Sequence, residues 1–310
     1  MKKIAAIFPG QGSQAAGMGK SLIATDQGRE MAEEASGALG YDIAALLDDP
    51  DRLSQTEFTQ PAILFVSLAA YKLFESELPI KPVFALGHSL GELTALAAMG
   101  ALPLAEAVKI AAFRGAEMKK ACEGKGAGMM VTLGLSDEAA EKLCADARSA
   151  GKQVWAANYN CDGQIVIAGL RADLETQVEV AKAAGAKRAM LLDMSVASHC
   201  PILAPAQEPL KKALAEKMSD TFLSPIVSNA TAAKYRSKAE AIALLADQLV
   251  KPVLYKKSVA AFENEADIFV EFGHGAILKG LNKKITQKET LAIANTEELA
   301  TAVEVLERSE

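Results

Sequence analysis

The sequence contains no apolar run long enough to cross a membrane. A spanning helix needs about 18 or more consecutive apolar residues, and no stretch of the 310 residues approaches that length. The run that follows two N-terminal lysines, Ile4–Phe8, ends at Pro9 after five residues. A signal peptide needs an apolar region of at least about seven residues, so a buried strand is the better interpretation. We therefore expect no membrane association.

Cysteine is scarce, and the few cysteines are far apart. They are Cys122, Cys144, Cys161 and Cys200, and none belongs to a Cys-x-x-Cys pair. This spacing argues against the usual zinc motifs and against a dense disulfide framework. We expect reduced thiols in a cytoplasmic protein, and no metal site.

Positive charge is in deficit, with 33 lysines and arginines against 39 acidic residues and a formal net charge of −6. A general nucleic-acid binder is usually basic or carries a basic stripe, so we expect no nucleic-acid partner. Two basic pairs, Lys187–Arg188 and Lys283–Lys284, remain candidates for a local contact with an acidic protein.

The sequence does contain a regular alternation of strand-like and helical patterns. Short apolar runs predict buried strands at Ile4–Phe8, Val83–Leu86 and Ile268–Phe272. Ala-rich patterns predict helices at Pro61–Leu78, Leu90–Met99 and Leu104–Lys120. This alternation is typical of an α/β fold with a largely parallel sheet.

The middle of the chain predicts a separate small domain. Its patterns follow the order β-α-β-β-α-β of a ferredoxin-like unit. The predicted strands are Met129–Leu133, Val154–Ala157, Gln164–Ala168 and Arg188–Leu192, and the predicted helices are Asp137–Ala150 and Ala172–Ala184. Ser136 is the predicted N-cap of the first helix, and Gly185 ends the second. We expect a small domain at 126–196, inserted into a large domain formed by 1–125 and 197–310.

The stretch Gly87–Gly91, with the sequence GHSLG, matches the Gly-x-Ser-x-Gly pattern of a serine nucleophile. The pattern carries chemistry only where a strand ends at the first glycine and a helix begins after the serine. Val83–Leu86 and Glu92–Met99 supply that setting. A side chain at either glycine would clash with a neighbouring strand or helix. The helix N-terminus also favours an oxyanion beside the serine. We predict that Ser89 is the nucleophile of an acyl-transfer enzyme.

A serine nucleophile needs a base, and the sequence has three histidines. His88 adjoins Ser89, and on a tight turn its side chain should point elsewhere. The hydrolase chain order of Ser, Asp and His favours His274, with Asp267 just upstream. His199 lies where the chain leaves the predicted small domain, and loops there could place it over a cleft. Spacing alone leaves both His199 and His274 open as the base.

A second glycine-rich segment, Gly10–Ala15, follows the first predicted strand and fits the G-x-G-x-x-A pattern of dinucleotide-binding loops. That function would require a second strand, ending in an acidic residue, about 20 residues later. The sequence at Gly28–Ala38 is instead polar and helical. We therefore expect a loop at the carboxyl end of a strand, presenting backbone N–H groups to a ligand or an oxyanion.

Together these motifs resemble the malonyl-CoA:acyl-carrier-protein transacylases over nearly the whole chain. The matching segments are Gly10–Gln14, Gly87–Glu92, Arg114, Asn158–Gln164, Ser198–Cys200, Ser228–Ala230, Gln248 before Pro252–Val253, and Gly273–Gly275. The resemblance implies an α/β-hydrolase-like large domain with a parallel sheet plus an inserted ferredoxin-like small domain. It also implies transfer of a malonyl group from malonyl-CoA, through an ester on serine, to the phosphopantetheine thiol of acyl carrier protein in fatty acid synthesis.

The resemblance implies a role for particular residues around Ser89. His199 becomes the base, and His274 becomes a loop residue. The family holds this histidine by the main-chain carbonyl of a glutamine, here Gln248. The backbone N–H groups of Gln11 and Leu90 are implied as the oxyanion hole.

Three more residues bear on the substrate. The resemblance implies that Arg114 binds the malonyl carboxylate, because a guanidinium group can hold a carboxylate through two parallel hydrogen bonds. His88 is implied as a substrate-binding neighbour of the nucleophile. Ser198 is small, which leaves room for some tolerance of methylmalonyl, whereas Leu90 fits the malonyl-specific enzymes.

Other functions remain open at this point. A serine esterase or thioesterase would use Ser89 with His274 and would not need Arg114. An acyltransferase of a polyketide system would share the chemistry and differ in pathway, and a docking subunit for carrier proteins would have no activity. In the transacylase interpretation the CoA thioester is a substrate, so no cofactor is expected, and we expect a monomer.

Overall fold

The computed structural model describes residues 2–308, which contain two β-sheets. The strands are β1 (Ile4–Phe8), β2 (Phe84–Gly87), β3 (Ala127–Leu133), β4 (Val154–Cys161), β5 (Gln164–Leu170), β6 (Arg188–Leu191), β7 (Ile226–Val227), β8 (Lys234–Tyr235), β9 (Ile268–Phe272) and β10 (Thr290–Ile293). The large sheet has the strand order β10-β9-β1-β2-β7-β8, and the small sheet has the order β4-β5-β3-β6.

The helices pack against the sheets and against each other. They are α1 (Lys20–Ile23), α2 (Asp26–Leu39), α3 (Ile43–Leu47), α4 (Pro50–Leu53), α5 (Thr56–Glu77), α6 (Leu90–Ala98), α7 (Leu104–Cys122), α8 (Asp137–Ser149), α9 (Arg171–Ala183), α10 (Gln207–Lys217), α11 (Lys238–Val250), α12 (Tyr255–Phe262), α13 (Ile277–Asn282) and α14 (Thr296–Glu307). Each helix and strand predicted from the sequence is present, with boundaries that differ by a few residues. None of the helices within 2–308 is both long and apolar enough to cross a membrane.

The large sheet is parallel except at its β8 edge, and its central strands are buried on both faces. Along β1, Ile4 and Phe8 pack into one apolar cluster, and Ala5 and Ile7 pack into another on the opposite face. A strand covered on both sides has no polar positions, which explains its continuous apolar sequence. The predicted α/β fold with a largely parallel sheet is confirmed.

The small sheet is antiparallel and is formed by the predicted ferredoxin-like unit. Its elements follow the order β3-α8-β4-β5-α9-β6. Along β3, Met130 packs into a cluster between the sheet and its two helices, and Met129 packs into the core shared with the large domain. The Ser136 side chain caps α8, and Gly185, with a φ of 108°, follows the end of α9, as predicted.

The chain enters the small sheet after α7 and leaves it after β6, through segment 192–200, which lies outside helices and strands. We propose that the small domain comprises 126–196 and that 1–125 and 197–310 form the large domain. All four cysteines are buried and free of disulfide bonds, as expected from their spacing.

The carboxyl ends of two neighbouring strands bring the two glycine-rich segments together. In the pairing of β1 with β2, Phe8 lies opposite Gly87. The loop after β1 and the turn after β2 therefore begin at the same edge of the large sheet, where ligands bind in open α/β folds. The small sheet lies over this edge, because Met129 and Val166 line a cavity together with Ser89.

Candidate active site

Ser89 lies at a sharp turn between β2 and α6. Its φ of 53° and ψ of −106° are uncommon for a residue with a side chain, so the turn is strained. The flanking glycines make the turn possible. A Cβ on Gly87 would lie 1.8 Å from the carbonyl carbon of Gly91, and one on Gly91 would lie 2.0 Å from the oxygen of Phe8. The local geometry is that of a nucleophile elbow.

Asn229, in the loop after β7, binds the backbone of the elbow through its side chain. Its Oδ1 accepts a hydrogen bond of 2.7 Å from the Ser89 backbone N–H, and its Nδ2 donates one of 2.7 Å to the Gly87 carbonyl. The asparagine is fully buried, so water does not compete for either bond. The strained backbone is thereby fixed by a side chain 140 residues away in sequence.

His199 is in contact with the Ser89 hydroxyl. Its Nε2 lies 2.8 Å from Ser89 Oγ, and its Nδ1 lies 2.7 Å from the main-chain oxygen of Gln248. A carbonyl only accepts hydrogen bonds, so Nδ1 carries the proton and Nε2 is left to accept one from the serine. Burial lowers the pKa of His199 to about 3, with a further decrease from the Arg114 charge. The imidazole is therefore neutral at pH 7.

His274 and Asp267 are not part of this arrangement. His274 lies in the turn after β9, outside the residues that line the cavity at Ser89. Asp267 accepts a hydrogen bond of 2.8 Å from the Lys3 backbone N–H at the start of the large sheet. The structure thus brings His199, and not His274, to the serine.

Arg114, on α7, points at the same serine from the side. Its Nη2 donates to Ser89 Oγ at 3.2 Å and to Gln248 Oε1 at 2.9 Å, and its Nη1 donates to Gln60 Oε1 at 2.8 Å. The residue is 3% exposed. Burial lowers the pKa of the guanidinium group to about 10, so it remains charged at pH 7.

Glu92, on the first turn of α6, is a fully buried carboxylate beneath the site. It accepts hydrogen bonds from Gln248 Nε2 at 2.7 Å, from the Asn229 backbone N–H at 2.9 Å and from the Tyr235 hydroxyl at 3.1 Å. Burial raises its pKa to about 7, opposed by these donors and by the Arg114 charge. Glu92 therefore joins the helix after the nucleophile to the elements that carry Gln248 and Asn229.

Gln11 and Leu90 line the cavity that contains Ser89. Leu90 is the first residue of α6, so its N–H has no partner within the helix. Within residues 2–308, neither N–H group donates a hydrogen bond to another residue. Gly10 lets the Gln11 loop approach the elbow, because a Cβ there would lie 2.3 Å from the His88 oxygen.

The cavity around Ser89 has a volume of about 220 Å³ and is closed on one side by the small sheet. His88 lines it and does not contact the serine hydroxyl; its Nε2 bonds to Asn160 Oδ1 at 2.8 Å. Asn158, also in the lining, has a buried Oδ1 that bonds to no other residue of the described chain. Among residues 2–308, no group of three or more histidine, cysteine or acidic side chains is placed to hold a metal ion.

Sequence reasoning missed four residues of this site, namely Gln60, Glu92, Tyr235 and Asn229. Gln60 carried a usable signal, because it is a polar residue directly before the apolar stretch of α5. Glu92 and Asn229 lay within motifs already singled out, but nothing in their spacing showed that they meet. Their contacts join positions 137 residues apart in the sequence, and only the fold brings them together.

The chain is similar to known acyltransferases over nearly its whole length. A model of the acyl transferase domain matches residues 6–304. A malonyl CoA-acyl carrier protein transacylase of Bacillus subtilis is 37% identical over 99% of this chain and 98% of its own. The one from Escherichia coli K12 is 38% identical over 95% and 96%.

Solved structures give the same result. The malonyl-CoA:acyl carrier protein transacylase of Helicobacter pylori is 43% identical, covers 99% of both chains and superposes with a TM-score of 0.96. A malonyl-transacylase in complex with its type II PKS acyl-carrier protein is 34% identical over 98% of this chain and 99% of its own, with a TM-score of 0.93. The chain therefore belongs to the malonyl CoA-acyl carrier protein transacylase family.

Proposed function

We propose that this chain transfers a malonyl group from malonyl-CoA to the phosphopantetheine thiol of acyl carrier protein, through a malonyl ester on Ser89. The observation that carries the proposal is Arg114. A buried guanidinium group 3.2 Å from the nucleophile, hydrogen bonded to neutral oxygens, favours an acyl group that ends in a carboxylate. Family membership and the names of the relatives support the same reaction.

The first half-reaction acylates the serine. His199 Nε2 accepts the hydroxyl proton while Ser89 Oγ attacks the thioester carbonyl, and the Gln11 and Leu90 N–H groups stabilise the resulting oxyanion. The C–S bond then breaks, and CoA leaves with the proton that His199 had accepted. The Gln248 carbonyl, which holds Nδ1–H, stabilises the transient imidazolium and keeps the ring in its productive tautomer.

The second half-reaction reverses these steps with a new thiol. The phosphopantetheine thiol gives its proton to His199 Nε2 and attacks the malonyl ester, which again forms an oxyanion. The C–O bond breaks, and Ser89 recovers the proton. CoA leaves before the carrier thiol binds, so the kinetics are ping-pong. The acyl donor is a thioester and the acceptor is a thiol, and the reaction as written uses no cofactor.

The wall of the cavity offers a hydrogen-bond acceptor to the pantetheine arm that both substrates carry. Pantetheine contains two amide groups, and the unpartnered Asn158 Oδ1 is a buried acceptor for one of their N–H groups. The His88–Asn160 pair holds the adjacent wall. We also propose a monomer, because Ser89, His199 and Arg114 come from one chain. We propose a cytoplasmic location, because widely spaced free cysteines suit a reducing compartment.

The pathway is the second part of the proposal. Fatty acid synthesis is favoured by the names of three curated relatives that match 92–99% of this chain. Each is named malonyl CoA-acyl carrier protein transacylase, with no mention of a polyketide system. The neighbour bound to a type II PKS carrier supports a polyketide role as the alternative. Both pathways use the same chemistry at Ser89 and differ in the carrier protein.

Intact-mass spectrometry tests the reaction directly. Wild-type protein with malonyl-CoA should gain one malonyl group, and Ser89→Ala should gain none. Addition of a phosphopantetheinylated carrier, from a fatty acid or a polyketide system in separate arms, should move the adduct to the carrier. Loss of the adduct to water at the same rate without carrier would instead identify a thioesterase. An adduct on Ser89→Ala would place the nucleophile elsewhere.

A further inference from the structure

A continuous chain of side-chain hydrogen bonds leads from Arg114 to the loop after β1. Arg114 Nη1 donates to Gln60 Oε1 at 2.8 Å, and Gln60 Nε2 donates to Thr56 Oγ1 at 3.0 Å. The Thr56 hydroxyl in turn donates to Gln11 Oε1 at 3.0 Å. The chain therefore joins the cation beside the nucleophile to the loop that carries the Gln11 backbone N–H.

The chemistry of its first member sets the direction of this chain. A guanidinium group has only donors, so Gln60 must turn its oxygen to Arg114 and its NH2 group to Thr56. The threonine oxygen accepts that bond, and its single proton is free to reach Gln11. All three bonds run in one direction, an arrangement in which each bond polarises the next. The orientation of the Gln11 side chain is thus dictated by a charge three bonds away.

Packing of two helices holds the chain dry and rigid. Thr56 is 5% exposed and Gln60 1%, so water does not replace their bonds. The two residues lie one turn apart on α5, where side chains at i and i+4 share a face. The start of α5 packs directly on α7 at Gly115. A Cβ at that glycine would lie only 2.6 Å from the main-chain carbonyl oxygen of Thr56.

We propose that Thr56 and Gln60 are positioning residues that couple the carboxylate site at Arg114 to the oxyanion donor at Gln11. This inference rests on the roles given to Arg114 and Gln11 in the proposed function. The oxyanion exists only in and near the transition state, so loss of the coupling should lower kcat and leave KM largely unchanged.

The test compares two threonines on the same helix. Thr56→Val removes the hydroxyl in the chain with little change of shape. Thr59→Val makes the same change at a fully buried position whose hydroxyl bonds only to the backbone oxygens of Leu53 and Gln55. We expect Thr56→Val to lower the rate of CoA release from malonyl-CoA about tenfold at saturation, with KM within about twofold of wild type. Thr59→Val should retain the wild-type rate.

A double-mutant cycle with Gln11→Met makes the inference specific. Gln11→Met keeps the backbone N–H and removes the acceptor, so it should show the same loss as Thr56→Val. It tests the same bond from the loop side should Thr56→Val fail to fold. The double variant should be no slower than either single variant, because both changes break one connection. Thr56→Ser, which keeps the hydroxyl, should restore the rate.

Several outcomes would overturn the coupling. One is an unchanged rate in Thr56→Val or, where that variant does not fold, in Gln11→Met. Others are a loss that appears in KM instead of kcat, and an equal loss of rate in Thr59→Val. The last is a double variant in which the two single effects multiply. Each of these leaves the proposed function intact, because wild type still releases CoA and carries malonyl. Absence of CoA release from wild type itself would overturn the proposed function and this inference with it.

Discussion

The two sheets contribute different kinds of side chain to the same cavity. Around Ser89, the large sheet and its helices supply buried polar and charged groups that bond to each other over long sequence separations. The small sheet supplies the apolar side chains of Met129 and Val166, together with Asn158 and Asn160. One region holds reactive groups in place, and the other shapes the space in front of them.

The difference shows why the chemistry lies in the large domain. A buried charge such as Arg114 or Glu92 is stable only where every donor and acceptor around it is satisfied. The large domain achieves this because its central sheet is covered on both faces and fixes the loops at its edge. Apolar walls make no such demand, so we expect changes in the small sheet to alter substrate binding more readily than the chemical step.

The largest expected effect breaks the large-domain side of this comparison. His199→Asn removes the proposed base, and asparagine tolerates the positive φ of 60° at this position. We expect acylation by malonyl-CoA to slow by about 10³-fold. His274→Asn is the matched control and should retain activity within about twofold. Single-turnover CoA release measures both. A large loss in His274→Asn with activity retained in His199→Asn would restore the esterase arrangement.

Replacement of the cation should change selection as well as rate. Arg114→Ala removes the partner of the malonyl carboxylate, and we expect the preference for malonyl-CoA over acetyl-CoA to fall by about 100-fold. Acetyl-CoA has no carboxylate and should lose much less. Competition between the two substrates, followed by mass analysis of the acyl-enzyme, gives the ratio. An unchanged preference would remove Arg114 from substrate recognition.

The buried carboxylate should give the site its pH dependence near neutrality. Three donors point at Glu92, so only its ionised form satisfies them all. With a pKa of about 7, the carboxylate gains a proton as the pH falls through 7, and the acylation rate should fall with it. The pKa of about 3 leaves His199 silent from about pH 5 to 8.

Glu92→Gln separates these two groups. The amide cannot titrate, so the inflection near pH 7 should vanish from the profile of CoA release. The rate should also fall about tenfold at pH 8, because the amide NH2 replaces an acceptor oxygen and leaves one of the three donors without a partner. An inflection that persists near pH 7 in Glu92→Gln would assign the titration to another group.

The smallest expected effect tests the small-sheet side. Val166→Ala enlarges the wall of the cavity and should raise KM a few-fold without changing the malonyl preference set by Arg114. It should cost about 1–2 kcal/mol in the free energy of unfolding. Ile165→Val, the control, lies on the other face of β5 in the cluster under the small-domain helices. Equal effects on KM from both would show that stability, not the wall, is being measured.

Much of the fold was predictable from the sequence because its signals are local. The apolar run of β1 and the GHSLG turn each depend on neighbouring residues, and both predictions are confirmed by the structure. The alternation of patterns in the middle of the chain likewise predicted the order β-α-β-β-α-β. The choice between His199 and His274 was different, because spacing left it open until the resemblance was considered.

The supporting residues could not be predicted, because they act across the fold. Gln60 meets Arg114 through the packing of two helices, and Glu92 meets Gln248 through a contact between positions 156 residues apart. No local pattern encodes such a meeting. The roles assigned to the site residues remain predictions for the experiments above.

The two residues in contact at the centre of the site share an unusual backbone. Ser89 and His199 both have positive φ, 53° and 60°, and glycine adopts positive φ at lower cost than a residue with a side chain. Substitution of either residue by glycine would relieve the backbone strain but remove a reacting atom. Selection for stability and selection for activity therefore act in opposite directions at these two positions. In a descendant that no longer needed the reaction, we expect them to be among the first to change.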